Sequence, residues 1–93
     1  MFINHPLYKK AYLHYEIEQI CQNFCLKLEL ESPVIQVTFK KNIIVLTIKL
    51  NSSSEGTALK LKEYDLFELI EETLKEKSLW DEGKVMSLTV KLK

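Results

Sequence analysis

Nucleophiles and metal ligands are the first residues to look for in a chain of 93 residues, and here they gather in one stretch, at His14, Cys21 and Cys25. On a helix the three share one angular strip. His14 and Cys21 are seven residues apart, about 10 Å along a helix axis. That is too far for one metal ion or for a Cys–His nucleophile pair. Cys21 and Cys25, at i and i+4, offer two thiolates where zinc wants four ligands, and the chain has no second cysteine pair. The two are expected to be small buried apolar side chains. Glu71, Glu72 and Glu76 are the nearest thing to an acid/base cluster, and their spacing suits a solvated helix face. The two glycines, Gly56 and Gly83, stand far apart, which leaves no glycine-rich phosphate loop. No enzyme, no metal and no cofactor is expected.

Composition narrows the classes further. Thirteen basic and thirteen acidic residues cancel, so no global field draws the chain to nucleic acid or anionic lipid. Every basic residue is lysine, which leaves no guanidinium fork for phosphate or guanine. Apolar content of 46% and charged content of 28% are those of a folded globular chain. Two cysteines make no disulfide framework, and they are read as reduced thiols of a cytoplasmic protein. Neither a membrane span nor a signal peptide is visible.

The elements that position these residues follow from periodicity. Val34 to Leu50 reads as a β-hairpin turning at Lys41-Asn42. That register sets Phe39 opposite Ile44, Val37 opposite Leu46 and Ile35 opposite Ile48, all on one face. A slip of one residue would set apolar against polar. Before it, Leu13, Ile17, Ile20, Phe24 and Leu28 carry helical spacing from Leu7 to about Leu28, with Pro6 at the first turn. Met1 to His5 is expected to be a loosely held arm. After it, Asn51 to Gly56 reads as a loop. Thr57 to Lys62 alternates and reads as a third strand, with a helical turn as the rival. A second helix starts at Asp65 and stops at Gly83. Lys84 to Lys93 alternates as a last strand.

The expected fold is therefore α+β, one domain over residues 1–93, in the order α-β-β-β-α-β. A four-stranded mixed sheet would carry both helices on one face in a two-layer sandwich. Phe39, Val37 and Leu46 should be buried with Ile17, Ile20, Phe24, Ile70, Leu74, Leu88 and Val90.

Two surfaces stand out as binding candidates. Tyr8, Tyr12 and Tyr15, continued by Gln19 and Gln22, form a row on the first helix away from its aliphatic stripe. Such a row either packs on a sheet edge or meets a partner, since tyrosine is large, amphipathic and enriched at interfaces. The open sheet face would gather Lys40, Lys49, Lys60, Lys62, Lys91 and Lys93. Opposite it, Asp65 to Glu82 holds seven acidic residues. Such a lysine face is either ordinary solvated surface or a dock for an acidic partner. The expected function is a non-enzymatic protein-interaction module, a small adaptor or inhibitor of the kind phage and accessory genes encode. Nucleic-acid binding through the lysine face is the alternative, and a small-molecule pocket between helices and sheet ranks third. Two bare sheet edges and the tyrosine row also lead us to expect a homodimer.

Overall fold

The computed structural model describes residues 6–93, with side chains from residue 9 onward. The order is α1 (Pro6–Lys27), β1 (Val34–Lys40), β2 (Ile43–Leu50), α2 (Ser53–Leu61), α3 (Glu63–Glu76) and β3 (Val85–Leu92). The expected arm, Met1 to His5, lies outside the described residues. The class is α+β, but the sheet has three strands, in the order β1-β2-β3.

The hairpin has the expected register, from Val34 opposite Lys49 to Lys40 opposite Ile43. Its turn takes a positive φ, 46°, at Lys41, the first central position. The strand on the other side of β2 is β3, which runs parallel to it, with Leu46 opposite Leu88 and Ile48 opposite Val90. Three apolar rows therefore cross one face of the sheet: Phe39–Ile44–Met86, Val37–Leu46–Leu88 and Ile35–Ile48–Val90. Ile44, Leu46, Ile48 and Leu50 of the central strand are buried there.

All three helices cover that face. On α1 the fully buried seam is Ile17, Cys21 and Cys25. Leu13, Ile20, Phe24 and Leu28 flank it, half-buried. The cysteines thus form the centre of the contact, where a narrow side chain lets the helix sit close to its neighbours. Leu66, Ile70 and Leu74 of α3 and Leu59 of α2 complete the core. Of the expected core residues, Phe39, Ile20, Phe24 and Val90 are only half-buried, at its margin.

The expected third strand is a helix. Ser52 is its N-cap, with Oγ accepting from the Glu55 amide at 3.3 Å. The Glu55 carboxylate in turn accepts from the amides of Asn51 and Glu31, each at 3.1 Å. Serine at N-cap with glutamate three residues on is the capping-box spacing; here the serine closes one orphan donor of the helix start, and the glutamate ties the chain before the helix to the segment after α1. Lys62 ends α2 and opens α3, so the second expected helix begins two residues before Asp65. That helix also ends early. Ser78 takes φ 57°, the Leu79 amide donates to Leu74 O at 2.8 Å and the Ser78 amide to Lys75 O at 3.0 Å. Glu29, at φ 62°, ends α1 the same way, with Leu30 donating to Cys25 O and Glu29 to Leu26 O, both at 3.0 Å. Both stops have the hydrogen bonds of a Schellman motif, with the apolar residue after the turn folded onto the helix. Leu79 and Leu30 fill that place, both buried. Neither stop has the glycine that normally marks one. Gly83, the expected stop, lies in the turn before β3.

Candidate partner-binding surface

The tyrosine row does not form one surface. Tyr12 is half-buried and packs against the core, while Tyr15 is 58% exposed. Gln19 is exposed and Gln22 half-buried. The Tyr8 side chain lies outside the described residues. Helical rotation alone does not separate them, since Tyr12 and Tyr15 lie about 140° and about 160° round the helix from Ile17; Tyr12 finds cover against the core and Tyr15 does not.

The lysine face is smaller than expected. Lys40, Lys49 and Lys91 do lie on the uncovered side of the sheet, in register with Ile43, Val34 and one another. Lys60 is on α2, Lys62 is the residue joining α2 to α3, and Lys93 follows β3. Lys60 and Lys62 leave the face because the strand assigned to Thr57–Lys62 is helical, and Lys93 because β3 ends at Leu92. The three strands contain no Asp or Glu, so the uncovered face is cationic at Lys40 and at the Lys49–Lys91 pair. Between them lie Thr38, Val45 and Ser87, then Gln36, Thr47 and Thr89. Among the described residues no aromatic ring stands on it; Phe39 is on the helix side. A face that stacks single-stranded bases would need one.

The strand edges carry the more specific geometry. The Val85 amide donates to Asn42 O at 2.9 Å and the Lys93 amide to Leu50 O at 3.0 Å. Alternation along the strand then turns the backbone groups of Met86, Leu88, Val90 and Leu92 away from β2, to the outside of the sheet. Among the described residues one bond reaches this row, from Lys60 Nζ to Leu88 O at 3.0 Å. The same ammonium donates to Glu63 Oε2 at 3.1 Å. On the opposite edge His14 Nε2 lies 2.9 Å from Val37 O. A carbonyl only accepts, so Nε2 carries the proton. His14 also meets the Phe39 ring edge-on at 6.0 Å between centroids. His14, weighed as a metal ligand and as the partner of a Cys–His pair, is thus a stopper on β1. His14 and Lys60 block the same cross-sheet row, Val37–Leu46–Leu88, from its two ends.

α1 packs along β1 and α2 on β3, and beside α2 the β3 edge opens onto two troughs separated by Lys60. One is bordered by Val90, Leu92 and Leu61, the other by Met86, Tyr64 and Phe67. Leu61 is 79% exposed, Tyr64 83% and Leu92 58%, an unusual share of bare apolar surface beside one strand.

The thiols offer no chemistry at the surface. Burial, then the charges of Cys25 and Glu18, push the Cys21 thiol up to about 12. Burial pushes Cys25 to about 11. Among the described residues no three His, Cys, Asp or Glu side chains group as a metal site, and no helix is long and apolar enough to cross a membrane. Of the glutamates weighed as acid/base groups, Glu71 pairs with Lys75 at 2.8 Å and Glu72 and Glu76 are exposed.

Comparison with known proteins finds no family model, no curated protein and no solved structure that matches the chain. Sequence reasoning did not single out Leu61, Tyr64 or Leu92, because their exposure depends on α2 being a helix beside β3. Lys60 was picked out for its charge, and its position at the edge was not foreseen.

Proposed function

We propose that the protein is a non-enzymatic interaction module, an adaptor or inhibitor, that takes up an extended segment of a partner protein along the free edge of β3. One observation carries this: the outward row of backbone groups at Met86, Leu88, Val90 and Leu92, with a single side-chain stopper and apolar troughs on both sides. Strand addition uses main-chain bonds for affinity and alternate side chains for specificity. In antiparallel addition the incoming residues opposite Val90, Leu88 and Met86 make the bonds and point to the helix side. The first and last of these enter the troughs, about 14 Å apart at 3.4 Å per residue. The middle one meets Lys60, whose bond to Leu88 O passes to the incoming amide. A carboxylate there gives the freed ammonium a new acceptor. The preferred segment is thus apolar at positions p and p+4 and acidic at p+2.

The same stopper argues for a foreign strand over a second copy. Pairing β3 with its own copy about Leu88 would bring two Lys60 ammonium groups together at the two-fold axis. The buried free thiols favour a reducing compartment, the cytoplasm.

Selection from a random peptide display library tests this. Val90→Pro removes an outward amide without touching the ladder to β2, a position where an edge strand tolerates proline. Recovered peptides should bind the native protein and lose binding to Val90→Pro. Lys60→Glu should change the p+2 preference from acid to lysine. Peptides indifferent to both substitutions would refute strand addition at β3.

A second reading, nucleic-acid binding, is favoured by the acid-free sheet face with Lys40, Lys49 and Lys91. Its affinity would be weak and steeply salt-dependent. Titration with single- and double-stranded oligonucleotides at low salt decides it, because that is its most favourable condition.

A further inference from the structure

A second concavity lies away from the β3 edge, where the N-terminal half of α1, the hairpin turn and the segment after α3 converge. Its volume is about 370 Å³, at the low end of the range for small-molecule sites. Leu13, Phe39 and Trp80 line its apolar interior, which reaches down to buried Leu74 and Leu79. Its rim carries Lys9, Lys10, Lys41 and Lys84 against a single acid, Asp81.

That imbalance is local, because the whole chain has no net charge. Two features hold the rim in place. Lys84 Nζ donates to Lys41 O at 2.8 Å and ties the loop before β3 to the hairpin turn. Lys9 Nζ lies 3.7 Å from Asp81 Oδ1, so the one carboxylate already has a partner. Lys10 Nζ stands 5.9 Å from the centre of the Phe39 ring, within reach of a cation–π contact at the mouth.

We infer that this cleft binds a small amphipathic anion: an apolar body seated on Phe39 and Trp80, with one carboxylate or phosphate among the lysines. An uncharged apolar molecule would fill the interior and give the four ammonium groups no anionic partner beyond Asp81. A bare anion would meet exposed lysines and gain nothing from the interior. The two halves of the site together call for both parts in one ligand. Lysine, a point charge on a flexible stem, accepts either headgroup. This inference is independent of strand addition at β3.

Trp80 is the only tryptophan in the chain, so its emission reports the cleft directly. The probes are decanoate, decyl phosphate and decanamide, each below its aggregation concentration, and inorganic phosphate. Decanoate or decyl phosphate should shift the emission to the blue with saturation, and the tighter of the two identifies the headgroup. Decanamide should bind at least tenfold more weakly, and inorganic phosphate should leave the spectrum unchanged. Trp80 also borders the trough beside Met86, so the control substitutions are placed on Lys10 and Lys41, which line the cleft and not that trough. The pair Lys10→Glu/Lys41→Glu should weaken decanoate at least tenfold, with the far-ultraviolet circular dichroism unchanged. The inference is overturned if neither anion gives a saturable shift, if decanamide binds as well as decanoate, or if the charge-reversed protein binds decanoate unchanged.

Discussion

Gly56 gives the sharpest test of how α2 sits on the sheet. It is buried inside a helix, where alanine is intrinsically better by about 1 kcal/mol. Its φ is not positive, so nothing in the backbone calls for glycine. What calls for it is β3: a Cβ at residue 56 would stand 3.0 Å from Val90 Cγ1. Overpacking of this kind costs about 1–3 kcal/mol. Taking about 2 kcal/mol for the clash against about 1 kcal/mol of helix gain, Gly56→Ala should destabilise the protein by about 1 kcal/mol. Val90→Ala removes the clashing methyl group. In that background Gly56→Ala should stabilise by about 1 kcal/mol, a coupling of about 2 kcal/mol. Urea unfolding of the four proteins, with equal m-values, measures the cycle. If Gly56→Ala has the same effect in both backgrounds, within about 0.5 kcal/mol, then α2 does not approach β3 at Val90 and the reasoning fails.

Ser78→Gly and Glu29→Gly should each stabilise by about 1 kcal/mol in the same assay, because both residues hold the left-handed conformation that glycine adopts without strain. Glu55→Ala should cost about 1–2 kcal/mol, since two backbone amides lose a charged acceptor at a partly exposed site; a loss under about 0.3 kcal/mol would mean water replaces it fully. Leu46→Ala, at the centre of the sheet and fully buried, should cost about 2–5 kcal/mol, and more than Phe39→Ala, whose ring is half-exposed. The thiols give a pH signature. Folded Cys21 and Cys25 ionise near 12 and 11 against an ordinary 9.0, so their contribution is complete below pH 9 and is lost as pH rises toward 11 and 12. The urea midpoint should therefore fall less between pH 8 and 10.5 in Cys21→Ala/Cys25→Ala than in the native chain. A clean monomer near 10.9 kDa at tens of micromolar in sedimentation would remove the homodimer and leave β3 to a foreign strand.

The hairpin was legible because its two faces disagree: any slip of Val34–Leu50 sets apolar against polar. α1 and the alternation of β3 were legible for the same reason. Thr57–Lys62 was not. Leu59 and Leu61 alternate with polar residues, and six residues are too few to separate period 2 from period 3.6. The deciding signal lay upstream, in Ser52 and Glu55 at capping-box spacing, masked by a serine run and a glycine that together resemble a loop. The end of α3 is not legible from glycine, because Ser78 takes the left-handed conformation there. These errors carried into the site. Once residues 57–62 left the sheet, Lys60 and Lys62 left its face, and the sheet was left with three strands and β3 at its edge. The tyrosine row does not hold as one surface because helical spacing places Tyr12 and Tyr15 alike, while the elements packed beside α1 cover Tyr12 and leave Tyr15 bare.

The parallel pairing of β2 with β3 also sets an order of assembly. β1 and β2 are joined by two residues and can close within microseconds, whereas Ile43 must find Val85 across the whole of α2 and α3. Until β3 arrives, the second edge of β2 is bare, and β2 is the most apolar strand in the chain. Closing that gap is then the slow, vulnerable step. A strand from elsewhere present at that moment competes for β2, and one arriving later meets only β3, where Lys60 must first give way. The helical crossover therefore acts as a timer as well as a cover: the faster α2 and α3 form, the shorter β2 stands open to the wrong neighbour.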